Sequence, residues 1–584
     1  MVDVSLQTLR KEVRAFLEEA RSGGAFASRC DAWLTGHDTA FSKQLAAAGW
    51  VGMALPPEHG GHGRSQVERY TVLEELLAAG APVAAHWISD RQTGPLLLRY
   101  GTESQCRRFL PAIARGECYF GIGMSEPDSG SDLASIRSSA RPTEGGWLLN
   151  GAKIWTSHAQ RSDYMVTLVR TSPLKDDKHA GLSQLIVDLH GQGVEIRPIA
   201  LLSGEPHFNE VIFRDAFIAE EMLVGSEGEG WRQVTSELAY ERSGPERFLS
   251  TFPLLQQLVG MLGPAPPPGQ AAAIGELAAR LWALRQMSMR VAERLQAGEA
   301  PATDAALVKD LGTRFESEVI EVARDLIPPL SASKEFRRLY WEGVLAAPGF
   351  TLRGGTNEIL RGIVARSLKN DGPLRGNLDA EGQLLGATAE AVFGGTRDIP
   401  AEFDRAGLAE VREAGLPRAA LVARVAAYHA APEELFEKLM EPGPLLRAVQ
   451  LAGAAARARD LAVGFAAERV QFGQPINRFQ AIQQLLAELA GESAAADAAV
   501  EQALAIPTAA RISAAKVGAG RAAARVARIA HQVHGAIGFT HEHSLHRFTT
   551  RIWQWRDLDG TEAEHAVALG NTLCGRDLWE ATSS

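Results

Sequence analysis

Between Phe120 and Ala159 the chain reads FGIGMSEPDSGSDLASIRSSARPTEGGWLLNGAKIWTSHA. Two stretches rich in glycine and hydroxyls, Met124–Ser131 and Asn150–Ser157, read as loops that flank strand-like residues. The hydroxyls of Ser125, Ser131, Thr156 and Ser157, with the backbone N–H groups of such loops, can meet the polar edge of a flat heterocycle. Trp155 can pack against its face. The bland alternative is a pair of ordinary turns in a β-domain.

A second candidate is a carboxylate. Val234, Leu238, Glu241 and Phe248 fall near one helical face, at i, i+4, i+7 and i+14. A carboxylate on an apolar stripe is costly unless it is used or paired. In a dry pocket its pKa rises towards the range of a general base. The alternative is a structural ion pair with an arginine, and Gly244-Pro245 disturbs the phase beyond it.

A third group lies late in the chain. Arg469-Val-Gln471-Phe472-Gly473 is followed by Gln480 and later by Gln532-Val-His534-Gly535. Arginine offers a planar donor fork suited to pyrophosphate oxygens. Near a helix C-terminus the helix dipole also favours its charge. Gly535 permits close backbone approach. The alternative is a solvated arginine beside a core phenylalanine. Gly354-Gly355-Thr356-Asn357-Glu358 is either a further contact segment or simply a helix start.

The elements that must hold these residues change character along the chain. Residues 1–117 read as helical, with Leu9, Val13, Phe16 and Leu17 in helical phase. Residues 118–229 read as β, with strands expected over 164–170, 182–189, 194–201 and 210–218. Residues 230–370 are helical again, broken at Gly263–Gly269. Residues 371–377 read as a linker. A reduced helical region short of aromatic core residues reaches 440, and 441–584 form a second, Ala-rich helical bundle.

The 584 residues suffice for several domains, and 46% apolar with 22% charged residues is ordinary for a globular protein. A formal charge of −10 argues against nucleic acid as a partner. No apolar run is long enough for a membrane span, and the N-terminus lacks the pattern of a signal peptide. Cys30, Cys106, Cys118 and Cys574 are scattered, which fits a reducing cytoplasm. The histidines at 531, 534, 541, 543 and 546 lack metal-ligand phasing, so no metal is expected.

Met124-Ser125-Glu126-Pro127, then Gly130-Ser131-Asp132, then Asn150-Gly151-x-Lys153-x-Trp155-x-Ser157 resemble the flavin-binding middle domain of the acyl-CoA dehydrogenase family. The resemblance covers Ser5 to about Lys369, with a second, partial match over roughly Leu445 to Leu578. It implies a mostly α fold with a middle β-domain, then a helical bundle, followed here by a second, β-less bundle.

In that family one subunit supplies the loops around the flavin ring. Its mate supplies an Arg-x-x-Phe-Gly helix end and a Gln-x-x-Gly segment for the pyrophosphate and adenosine. The first half of this chain keeps the ring-side loops but lacks both tail motifs, and the second half has the reverse inventory. The chain thus resembles a fused pair of unequal subunits, like the heteromeric acyl-CoA dehydrogenases of bacterial steroid catabolism. FAD is the implied cofactor. Met124, Ser125, Ser131, Trp155, Thr156 and Ser157 are then expected at the ring. Gly355, Thr356 and Glu358 are expected near its ribityl and pyrophosphate region, and Arg469, Gln471, Phe472, Gln480, Gln532 and Gly535 at its tail.

The family places its base at one of two positions. One is Gly354 here and therefore empty; the other is Glu241, just before Arg242. Asp559-Gly560-Thr561 occupies the first position in the second half and is read as a relic or a structural residue. The implied activity is α,β-dehydrogenation of an acyl-CoA to a trans-2-enoyl-CoA, with an electron-transfer flavoprotein as acceptor and a homodimer of chains as the assembly. The alternatives are an acyl-CoA oxidase and a non-catalytic flavin-binding relative with a DNA or protein partner.

Overall fold

Leu9, Val13 and Leu17 are buried along one side of the first helix, α1 (Val4–Ser22). Phe16 packs edge-on against Trp50, and arginines add ionic contacts. Arg10 and Arg14 each donate to Glu75 at 2.7 Å. Glu75 lies on α2 (Gln66–Ala78), which opens with a Ser65/Glu68 capping box. With α3 (Glu103–Ala114) these helices build the first layer. The computed structural model describes residues 4–173, 176–328, 330, 332–369, 372, 378–395 and 398–583; for 4, 237–241, 582 and 583 only the backbone is described.

The sheet begins at Phe120. Its strands are β1 (Phe120–Gly123), β2 (Ser139–Thr143), β3 (Gly146–Ser157), β4 (Tyr164–Arg170), β5 (Leu182–Asp188), β6 (Val194–Ile199), β7 (Phe208–Ala219) and β8 (Leu223–Val224). They are ordered β6-β7-β3-β2-β4-β5-β8, with β1 parallel to β4. The four strands expected from alternation are β4 to β7, matched within two residues at each end. One expectation is corrected. Asn150–Ser157 is not a loop but the end of the twelve-residue strand β3, paired with β7 and broken by irregularities between Leu149 and Gly151 and between Lys153 and Thr156. Glycine and hydroxyl residues signal turns in sequence; here they mark bulges in a strand.

Two sets of helices follow. The first is α4 (Gly230–Arg242), α5 (Phe252–Leu262), α6 (Pro268–Gln296), α7 (Ala302–Leu326), α8 (Lys334–Phe350) and α9 (Asn357–Ser367). The expected linker 371–377 lies outside the described residues except for Gly372. Helices α10 (Ala380–Phe393) and α11 (Leu416–Tyr428) then lead into the second set. Phe393, Phe403 and Phe436 are buried in this region, and α11 packs on α12, so it shares the core of the second bundle. That set is α12 (Pro444–Glu468), α13 (Gln480–Ala505), α14 (Ala509–His534), α15 (His546–Asp557) and α16 (Glu562–Leu573). A short hairpin, β9 (Val470–Gln471) with β10 (Gln474–Pro475), interrupts an otherwise helical half.

The two sets repeat one pattern and exchange partners. Helix α6 packs on α16, α13 packs on α9, and α6 and α13 cross each other. This is how an isologous two-fold interface looks when both copies share one chain. Gly275 faces the carbonyl of Ala566, and Gly570 faces that of Ala271, so closely that a Cβ at either would collide with backbone.

Candidate cofactor site

A buried ion pair organises the first loop. Lys153, fully buried on β3, donates to Glu126 Oε1 at 2.8 Å and to the Met124 carbonyl at 3.1 Å. Glu126 also accepts from the backbone N–H groups of Arg137 at 2.6 Å and Ser138 at 2.9 Å. Burial alone would raise the Glu126 carboxyl, but Lys153 and these donors hold it below the usual range. Burial pulls the Lys153 ammonium down to about 8, against the attraction of Glu126. Ile154 N–H closes the junction on the Ser125 carbonyl at 2.9 Å. Sequence reasoning assigned no role to Glu126 or Lys153, although both stand inside the motif it used.

Next to this clamp, Trp155 sits at φ 62° in the β3 bulge and is 53% exposed, with Phe208 edge-on at 6.1 Å. A left-handed backbone at an aromatic residue costs about 1–3 kcal/mol and persists where the surroundings impose it. The bulge turns the indole out of the sheet. Thr156 is fully buried, and its Oγ1 has no partner among the described residues. Ser157 pairs with Phe208 in the sheet. Met124 and Ser125 are half-buried, and Ser131 is exposed.

Glu241 lies in the last turn of α4, and its side chain falls outside the described residues. Val234, seven residues earlier and so on the same helical face, packs with Ile136, Leu168, Leu182 and Met124. That face of α4 therefore meets the sheet and the first loop.

The following residue, Arg242, donates from Nε to the Gly354 carbonyl at 3.1 Å. Gly354 and Gly355 stand at φ 69° and 87°, which only glycine adopts without strain. Lys309 on α7 donates to the carbonyls of Thr351 at 3.0 Å and Gly355 at 2.9 Å, and to Asn357 Oδ1 at 2.6 Å. Burial draws the Lys309 ammonium down to about 7, with Arg247 and Arg353 adding to the shift. Thr356 caps α9 by accepting from Ile359 N–H, so the helix-start reading holds for its hydroxyl. The Glu358 side chain is exposed, and its carbonyl accepts from Gln484 Nε2 on α13 at 2.9 Å.

In the second half Arg469 is the C-cap of α12, as a cation favoured by the helix dipole should be. Its guanidinium has no bonded partner among the described residues. Gln471 is exposed in the hairpin, and Phe472 at its tip stands at φ 52° and is 93% exposed, touched edge-on by Phe479 at 5.8 Å. Gln480 opens α13, one turn before Gln484. Gln532 is exposed in the last turn of α14, and Gly535 follows at φ 64° with open space where a side chain would be. His534 is buried, bonds Ala530 O through Nδ1 at 2.7 Å and stacks on Phe465 at 4.6 Å; burial takes its pKa down to about 4, so it is neutral.

The contact between Gln484 and Glu358 joins the first turn of α9, just after the glycine turn, to the helix that follows the hairpin of the second half. Asp559 is bound by Arg447 Nε at 2.8 Å, a structural ion pair. Among the described residues no group of His, Cys, Asp or Glu could hold a metal ion, and no helix is long and apolar enough to cross a membrane.

Trp155 is an exposed, strained indole beside a buried threonine hydroxyl without a partner among the described residues, a chemistry that suits a flat ring; Arg469, without a bonded partner among the described residues, suits an anion. The comparisons bear on the family. The acyl-CoA dehydrogenase N-terminal domain matches residues 5–117, the middle domain 121–216, and the C-terminal domain 267–369 and 434–570. Acyl-CoA dehydrogenase IpdE1 of Mycobacterium tuberculosis is 36% identical over 56% of this chain and 86% of its own length. The solved Tcur3481-Tcur3483 steroid ACAD is 28% identical, with a TM-score of 0.55 over 62% of this chain and 97% of that one. An acyl-CoA dehydrogenase of Bacillus anthracis complexed with FAD covers 98% of this chain and 95% of that one, with a TM-score of 0.70; at 18% identity it shows the fold alone. The chain belongs to the acyl-CoA dehydrogenase family.

Proposed function

We propose that this chain oxidises an acyl-CoA thioester to the trans-2-enoyl-CoA at one FAD site built from both of its halves. The observation that carries the reading is the division of parts: Trp155 and the Met124–Ser131 loop in the first half, Arg469–Gly473 and Gln532–Gly535 in the second, with α9 of the first half packed on α13 of the second.

Trp155, Thr156 and Ser157, with Met124, Ser125 and Ser131, would hold the ring. Arg469, Gln471, Phe472, Gln480, Gln532 and Gly535 would hold the tail, and Gly355, Thr356 and Glu358 the part between. FAD, when bound, accepts the hydride from the β-carbon. Glu241 takes the α-proton. In a pocket closed to water such a carboxylate would be the stronger base. The steroid-type relatives favour a bulky acyl group. Electrons pass to an electron-transfer flavoprotein, and two chains pair to give four half-units.

Released flavin measured against protein tests the site. One FAD per chain is expected, and a ratio near two is incompatible with it. Turnover of straight, branched and steroidal acyl-CoAs with a dye acceptor tests the activity.

A further inference from the structure

Lys309 and Lys516 occupy the same place in the two halves. Lys309 lies on α7 and bonds the segment that leads into α9; Lys516 lies on α14 and bonds the last turn of α15, the helix before α16, through the carbonyls of Trp555 at 3.3 Å and Arg556 at 2.7 Å. Both are fully buried. Their surroundings differ. Lys516 has Glu562, Asp559 and Asp557 near it, opposed by Arg447. Lys309 has Arg242, Arg247 and Arg353 near it and Asp310 as the one opposing charge among its named neighbours.

A buried lysine among arginines is held at a cost in stability. Three acceptors around Lys309 Nζ use all three donors of an ammonium group, and none of the three is a carboxylate. The turn it grips is the one that Arg242 ties to the helix of Glu241, and it leads directly into the first turn of α9, where Gln484 of the second half bonds the Glu358 carbonyl. Asn357, held by Lys309, is held again by Thr313 at 3.2 Å.

We infer that Lys309 is a positioning residue: it locks the Gly354–Asn357 turn in the one shape that lets both halves present their cofactor contacts together. Its counterpart Lys516 holds only the end of α15, in a half that has no ring-side loops. This rests on the proposed FAD site.

The test compares Lys309→Met with Lys516→Met, with Lys309→Arg as the conservative variant. Each purified protein is measured for FAD affinity, for visible circular dichroism of bound flavin, for hydrogen exchange over residues 351–358 and for thermal unfolding. Lys309→Met is expected to weaken FAD by at least about tenfold, the equivalent of one charge-assisted hydrogen bond. It should also change the flavin dichroism and speed exchange in the turn. Lys516→Met should lower the unfolding temperature while FAD affinity and dichroism stay at the wild-type values. Lys309→Arg should recover part of the affinity, and carries the comparison if Lys309→Met does not fold. Equal FAD loss in both methionine variants, or wild-type affinity in Lys309→Met, overturns the inference. A wild-type protein that holds no FAD overturns the proposed site instead, and the exchange measurement still reports whether Lys309 locks the turn.

Discussion

Gln484 Nε2 donates to the carbonyl of Glu358 at 2.9 Å, across 126 positions of sequence. One residue lies a turn into α13, and the other lies in the first turn of α9. The bond fixes the register between the segment after Phe472 and the segment after Gly355. A cofactor gripped at both places therefore reports on the packing of the two bundles.

Glu241→Gln should keep the flavin colour and lose most turnover. Removing a general base costs about 10²–10⁴-fold. Asp559→Asn should be nearly silent in turnover, because Asp559 is engaged by Arg447 in the half without ring-side loops. Steady-state rates of both variants with one acyl-CoA decide the point; an active Glu241→Gln with a dead Asp559→Asn assigns the base to the wrong carboxylate.

Arg469→Ala should weaken FAD by roughly 10- to 150-fold, the value of a charge-assisted contact of about 1.5–3 kcal/mol. Excess FAD should restore part of the activity, since Trp155 and the Met124–Ser131 loop are untouched. Flavin titration measures it. Wild-type affinity in this variant removes Arg469 from the site.

The strands β4 to β7 were legible because their apolar residues alternate or run continuously between turn signals. The proposed division of the cofactor site comes from the family's loop and tail motifs. The strand β3 was not legible. Gly151 and the hydroxyls of Thr156 and Ser157 look like a loop, and only pairing with β7 shows that they sit in a strand whose bulge turns Trp155 outwards. The lysines were missed for a related reason. A lysine at 153 or 309 reads as surface, since its burial depends on carbonyls and a carboxylate supplied from distant positions.

Lys153→Met should leave the Glu126 carboxylate buried without its cationic partner. Breaking a buried pair from one side costs about 3–5 kcal/mol. Denaturant unfolding should show that loss, and flavin should leave more readily because the Met124 carbonyl is freed. In Lys153→Met/Glu126→Gln the loss should be smaller than the sum of the two single changes.

Glu316 supplies a pH test of stability. It is buried, accepts from Ser250 N–H at 2.9 Å, and burial lifts its pKa from 4.5 to about 7, against the pull of Arg353. The folded state thus holds a proton that the unfolded state releases between those values. Its stabilising contribution is complete below about pH 4.5 and is lost as pH rises through 7. Glu316→Gln should match the wild type near pH 4.5 and exceed it at pH 8 by about 3 kcal/mol at most. Thermal unfolding across that range checks the sign; a variant less stable at pH 8 contradicts it.

The exchange of partners between α6 with α16 and α13 with α9 has a consequence for how the protein is kept assembled. Two separate polypeptides would meet only as fast and as often as their concentrations allow, and either could be made in excess. Joined in one chain, the bundles face each other at an effective concentration of order millimolar, whatever the amount of protein in the cell. Dilution cannot separate them, and neither half can pair with a stranger while its own mate occupies the interface. The surface between them is then released from the need to bind tightly as free partners, and its sequence can drift towards what the site requires.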